Sequence, residues 1–349
     1  MGNAFVNATT QEKVYAICGP EFGPDREGSV VVIHKALYGL ATSCERWHAH
    51  LSDTLRALGF NPTRFDQDVW IRLGTDEKHY EYICTHVDDF MIVARDPTPL
   101  MDKLQDIYTI KSISKPDYYL GNDYKKNANG NWTYGCKKYV KEVLVKVESI
   151  FGSLPKRSTP MVTSDHPEDD DSPSLSDTEH THYQMLIRML NWMVAIGRFD
   201  FAFSTSSLAR FVAAPRKGHL DRALHVFGYL KKNPNRRIVI DSRDPIFEGS
   251  ESALTKDLAS EFSSVYPDAA EELDPKLPKP LIKELAITGL VDSDHAHDKV
   301  TRRSITGILL FVGRTPVFAM SKRQGAIETS TYGAEFNAMK TAVEETMST

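Results

Sequence analysis

The stretch YEYICTHVDDFMIVA, residues 80–94, decides how the rest of the chain is read. Tyr80 to Val87 and Phe90 to Ala94 are rich in aromatic and β-branched residues, and only Asp88 and Asp89 separate them. That spacing predicts a β-hairpin with both aspartates at its tip. A two-residue hairpin turn favours Asn-Gly or Asp-Gly because positive φ is needed, and neighbouring carboxylates repel one another. An Asp-Asp pair at a turn ordinarily marks a longer, solvated loop. Here an apolar strand flanks each side, and the alternative is a divalent metal site. Hard Mg²⁺ takes oxygen ligands, usually one or two protein carboxylates, while substrate phosphates supply the rest. Phosphoryl chemistry on two metals needs that arrangement.

Upstream, Val30 to Ile33 is a short β-branched run, and Trp47, Leu51, Leu55 and Leu58 fall at helical spacing before Gly59, a C-cap signal. Downstream, Tyr139 to Ile150 and Tyr183 to Ile196 read as helices, and Leu220, Ala223, Leu224, Phe227 and Leu230 form another amphipathic stripe. Leu285 to Val291 and Ile305 to Val312 read as strands and Tyr332 to Thr346 as a helix, an α/β beginning. At 349 residues the chain is long enough for two or three domains.

A hydrophobic share of 41% with 26% charged residues sets aside fibrous and disordered classes. No apolar run approaches a membrane span, and residues 1–25 lack the order of a secretion signal. Cys18, Cys44, Cys84 and Cys136 lie far apart without a CxxC pair, so reduced thiols are expected rather than a disulfide framework or zinc knuckle. The net charge of −5 conceals opposed regions. Residues 101–157 hold 11 basic against 6 acidic residues, and residues 183–240 hold 10 against 2. Between them, the tract from Asp165 to Glu179 has no Lys or Arg and reads as a solvated acidic loop. A second acidic stretch, 241–284, reads as a linker. His295, His297 and Asp298 raise a zinc reading, but no complementary Cys or His cluster lies nearby in the sequence.

Several ordered segments carry a family resemblance. Lys35-Ala-Leu-Tyr-Gly-Leu40, Trp47, Leu58-Gly-Phe60, Asp66 to Trp70 and His86-Val-Asp-Asp89 closely resemble the reverse transcriptase of Ty1/copia-type LTR retrotransposons. Tyr119-Leu-Gly121, Lys138-Tyr-Val140, Tyr183 with Leu190, Arg198-Phe-Asp-Phe-Ala202, Leu208 with Arg210-Phe211, and Leu230-Lys231 follow in the same order. Val291-Asp-Ser-Asp294, Arg302-Arg-Ser304, Gly307, Ser321-Lys-Arg-Gln324, Ser330-Thr331 and Ala334-Glu335 resemble that family's RNase H domain.

The resemblance implies an α+β and α/β multidomain chain. Residues 1–100 would form the palm and fingers of a right-hand polymerase, and 101–240 a basic, helical thumb and connection with an acidic loop at 165–180. Residues 241–284 would be a linker and 285–349 a truncated RNase H-like domain. It implies RNA-directed DNA synthesis with Mg²⁺ or Mn²⁺. The partners would be an RNA template, a DNA primer, an RNA–DNA hybrid and deoxynucleoside triphosphates. The expected location is cytoplasmic, in a virus-like particle, with the nucleus as the alternative. Asp88, Asp89, Asp292 and Glu335 take the catalytic and metal-ligating roles; Tyr38, Gly39 and His86 border the nucleotide. His86 stands where the family more often has Tyr, and Ala41 where Lys or Arg is common. The family's first polymerase Asp would fall one residue before Met1, and a further RNase H Asp beyond Thr349. The polypeptide as it stands is therefore expected to be inactive or impaired. The alternative is a non-catalytic nucleic-acid-binding remnant of a retrotransposon polyprotein, whose basic middle would hold a hybrid through its phosphates.

Overall fold

Residues 4–245, 264–265, 277–281 and 285–348 are described in the computed structural model, so most of the linker expected at 241–284 lies outside the described residues. The chain divides into two units: Met1–Leu120 with Pro278–Lys283, and Gly121–Leu277 with Glu284–Thr349.

In the first unit, β1 (Thr9–Ile17) and β2 (Val30–Lys35) pair as an antiparallel ribbon. Helix α1 (Ser43–Ala57) buries Trp47, Leu51 and Leu55 on one face, and Gly59 follows it at φ 86°, where a left-handed residue ends a helix without a Cβ penalty. Next come β3 (Asn61–Pro62), β4 (Val69–Leu73), β5 (Tyr80–His86) and β6 (Asp89–Val93), hydrogen-bonded in that order as an antiparallel sheet. Arg72 faces Glu81 in the β4–β5 register, 2.6 Å away in a largely buried ion pair, and its guanidinium lies over the Phe60 ring. That pair fixes the register by charge as well as by apolar contact. Helix α2 (Thr98–Ile107) adds Leu100 and Leu104, with Tyr108, to the core around Trp47, Trp70 and Ile83. Strand β7 (Tyr118–Tyr119) ends this part of the chain.

The second unit holds β8 (Asn122–Lys126), β9 (Trp132–Gly135), α3 (Lys137–Phe151), α4 (Asp177–Ala195), α5 (Ala202–Ala209), α6 (Lys217–Lys232) and β10 (Ile238–Val239). The last strand returns to pair antiparallel with β9, which pairs with β8. Ser176 and Glu179 form a capping box that starts α4. Val140, Val143 and Val147 of α3, Tyr183, Leu186 and Leu190 of α4, and Ala223, Phe227 and Leu230 of α6 meet in one core. Strands β11 (Ile287–Asp294), β12 (Ile305–Val312) and β13 (Thr315–Arg323) form an antiparallel sheet with β12 in the middle, and α7 (Thr331–Ser348) packs on β11 and β12.

Two expectations need correction. The tract from Asp165 to Glu179 is not a solvated loop: Asp165 and Asp170 both pair with Arg222 of α6, and Glu168 pairs with Arg210. Gly218 makes room for this, since a Cβ there would run into the Asp170 carboxylate. The charge of residues 183–240 is also met in part by acids within the chain. Arg198 holds Asp200, and Arg210 holds Glu168 and Asp298. Arg216 and Arg237 donate to backbone carbonyls. A sequence count cannot see that Arg210, Arg216 and Arg237 find acids or carbonyls far away along the chain, whereas Arg198 meets its acid two residues on.

Candidate active site

The β5–β6 turn differs from the expected one. His86 pairs with Asp89, so Val87 and Asp88 are the two turn residues and Asp89 opens β6. Val87 takes φ 52°. Positive φ at the first turn position belongs to the type II′ hairpin, where glycine is usual, and a β-branched residue there stores strain. The turn is held from α1: Trp47 Nε1 donates to the Val87 carbonyl at 2.5 Å. Trp47 is itself packed edge-on against Tyr108. Beneath the turn, buried Thr85 donates its N–H and its hydroxyl to the Asp68 carbonyl, and His48 meets the Asp68 carboxylate at 3.1 Å.

Asp88 is half-buried, and Asp89 and His86 are exposed. Two carboxylates offer oxygen donors only, the kind that a hard divalent cation takes rather than a thiolate- or imidazole-seeking one. On the loop before α1, Ser43 Oγ donates to the Leu37 carbonyl at 2.6 Å and accepts from the Leu37 N–H. That closure presents Tyr38, which is 70% exposed with its ring standing edge-on against Phe5 at 4.5 Å. Gly39 follows at φ 99° with open space where a Cβ would be.

Residues 1–163 match the reverse transcriptase (RNA-dependent DNA polymerase) family. A putative transposon Ty5-1 protein of Saccharomyces cerevisiae is 29% identical over 231 residues, covering 65% of this chain and 73% of its own length. The retrovirus-related Pol polyprotein from transposon RE1 of Arabidopsis thaliana is 24% identical over 355 residues, covering 99% of this chain and 21% of its own length. The similarity is to Ty1/copia-type retrotransposon reverse transcriptases, and the family match itself lies within residues 1–163. Another Pol polyprotein, from transposon TNT 1-94 of Nicotiana tabacum, is 20% identical over 271 residues. The chain thus spans about a fifth of the length of the Pol polyproteins it matches. No solved structure matches it.

In the second unit, the other two expected carboxylates sit on β11 and α7. Ser293 and Thr306 turn their hydroxyls to the buried Gln324 amide, which also donates to the Ala334 carbonyl in the first turn of α7. The pleat therefore directs Asp292 to the opposite side of β11, where it is exposed, while Glu335 lies half-buried beside Ala334. Asp298 is no metal ligand. It is 1% exposed and accepts from Arg210, Arg323 and the Thr301 N–H. Burial pushes its carboxyl up, but these donors win and hold it far below the usual carboxylate range. Asp200 follows the same logic: burial opposes, and Arg198 with Tyr229 prevails.

Among the described residues, one group of three or more potential metal ligands converges: His166, Glu168 and His297. Reading the sequence missed it because His166 and Glu168 lie in the acidic tract, far upstream of His297. The residue pattern His-x-Glu was the available signal.

Proposed function

We propose that this chain carries the polymerising part of a retrotransposon reverse transcriptase, adding deoxynucleotides to a DNA primer along an RNA or DNA template. The Asp88–Asp89 pair, set at a strained hairpin turn held by Trp47, is the observation that carries the reading. Those two side chains would hold Mg²⁺ or Mn²⁺, and a bound ion supplies the charge that activates the primer 3′ oxygen and steadies the leaving pyrophosphate. Trp47 fixes the turn so that the carboxylates need not reorganise when substrate arrives. Tyr38, Gly39 and His86 are proposed to border the incoming nucleotide; the exposed Tyr38 ring offers a flat apolar face, and Gly39 lets the backbone come close.

In this proposal residues 1–100 act as palm and fingers and 101–240 as thumb and connection. For residues 285–349, the order of three antiparallel strands followed by α7 supports a ribonuclease H-like reading; Asp292 and Glu335 are its proposed acids, although the sheet sets Asp292 on the side away from Gln324 and Ala334. The relatives are named Pol polyproteins, and processing from such a polyprotein in a cytoplasmic particle is part of the same reading.

The test supplies the protein with Mg²⁺, an RNA template, a DNA primer and deoxynucleoside triphosphates and reads primer extension. Asp88→Asn with Asp89→Asn should lower extension at least about 100-fold while leaving the fold intact. Lack of extension by the parent protein, or extension that survives the double substitution, would sink the reading. A second reading, hybrid binding without chemistry, draws on the exposed Lys125, Lys126, Lys137, Lys141 and Lys146 of β8 and α3.

A further inference from the structure

His297 lies in the loop between β11 and β12, and its two ring nitrogens differ in surroundings. Nδ1 donates to the Asp294 carboxylate at 2.6 Å. That bond assigns the proton to Nδ1 and leaves a lone pair on Nε2, which is buried and has no hydrogen-bond partner. A buried polar atom without a partner is costly, and an imidazole oriented by a carboxylate on its far side is the usual arrangement of a metal-binding histidine.

His166 and Glu168 stand opposite. One ligand atom from each of the three residues lies within 4.8 Å of the others, and the two imidazole centroids are 5.0 Å apart. His166 Nδ1 and Glu168 Oε1 are 3.0 Å apart. Two ligands at roughly 2.1 Å on a tetrahedral ion sit about 3.4 Å from each other, so this pair is already near ligand spacing. The Glu168 side chain is 5% exposed and is oriented by the Lys299 N–H and by Arg210. Arg210 does not flood the place with positive charge, because Asp298 neutralises it from its other side.

We propose that His166, Glu168 and His297 bind one divalent transition-metal ion of the zinc class, with a fourth position left for water. Two imidazoles and one carboxylate are a zinc donor set, unlike the all-carboxylate pair at Asp88 and Asp89. On binding, the proton between His166 Nδ1 and Glu168 leaves to solvent and the ion takes its place. The ion would tie the acidic tract to the β11–β12 loop.

Full-length protein stripped with a chelator is titrated with Co²⁺ alone, then with Zn²⁺. One equivalent of Co²⁺ should give the visible absorption of a low-coordinate site, displaced by one equivalent of Zn²⁺ and not by excess Mg²⁺. His297→Ala and, as a second variant, His166→Gln should each weaken binding at least about 100-fold. His295→Ala should bind like the parent, since His295 is occupied with the Glu328 carbonyl. Zn²⁺ should raise the melting temperature of the parent and not that of His166→Gln, with circular dichroism reporting that the variants fold. Absence of one-equivalent binding, or binding that survives both histidine substitutions, overturns the proposal.

Discussion

Replacing Asp298 by Asn keeps its shape and removes its charge, which makes it a sharp test of what joins the C-terminal sheet to the helices of the second unit. Asp298 is 1% exposed and accepts from Arg210 at 2.6 Å, from Arg323 at 2.9 Å and from the Thr301 N–H at 2.7 Å. The Asn oxygen can keep the Thr301 bond, but its amide then points donors at guanidinium donors. Breaking a buried ion pair from one side costs about 3–5 kcal/mol. Arg210 retains Glu168, and the Arg323 side chain is 32% exposed and can reach water, so the low end, about 3 kcal/mol, is expected. The assay is urea unfolding followed by hydrogen exchange at β12, which reads this unit separately. The pH dependence gives a second arm. The folded-state value of Asp298 lies below its ordinary one, so near pH 4 the unfolded chain binds more protons and stability rises with pH. The contribution is complete above the unfolded value of about 3.9 and fades as pH falls below it, so parent and variant should converge in acid. A loss under about 1 kcal/mol at pH 7, or a gap that stays constant down to pH 2, refutes the reasoning.

Gln324→Ala should cost about 2–3 kcal/mol in urea unfolding, because the buried amide joins Thr306 to the Ala334 carbonyl and its removal leaves both unsatisfied. Val87→Gly should stabilise by up to about 1 kcal/mol by relieving the positive φ at the β5–β6 turn, seen as a higher melting temperature; a drop would mean that the Val87 side chain matters more than its backbone. Replacing Lys137, Lys141 and Lys146 with Gln should lower the slope of log affinity against log salt for an RNA–DNA hybrid by about 2–3, whereas Arg222→Gln should change stability more than that slope.

Periodicity carried much of the fold. Trp47, Leu51 and Leu55, the valines of α3, and the run Ile305–Val312 sit where their spacing put them, since each element buries one face of its own residues. Turn geometry was harder: the residues YEYICTHVDDF do not reveal that Val87 rather than Asp89 occupies the turn, because the register is set by pairing across β5 and β6. Charge was hardest. The fate of Arg210 depends on Glu168 and Asp298, and that of Arg222 on Asp165 and Asp170, all brought near by packing of the helices rather than by sequence neighbourhood. The same holds for His297, whose partners in the acidic tract no local pattern announces.

The sheet of β11, β12 and β13 is gripped by groups that precede residue 246. Ser206 donates to the Ser321 carbonyl, Asp241 exchanges hydrogen bonds with Arg314 and Thr315, and Arg210 reaches Asp298. Among the described residues, these bonds between surfaces distant in sequence hold the sheet in place. Severed anywhere within residues 246–284, the two pieces would retain the complementary faces needed to recombine, so this part of the molecule has the makings of a split protein whose halves find each other without being joined.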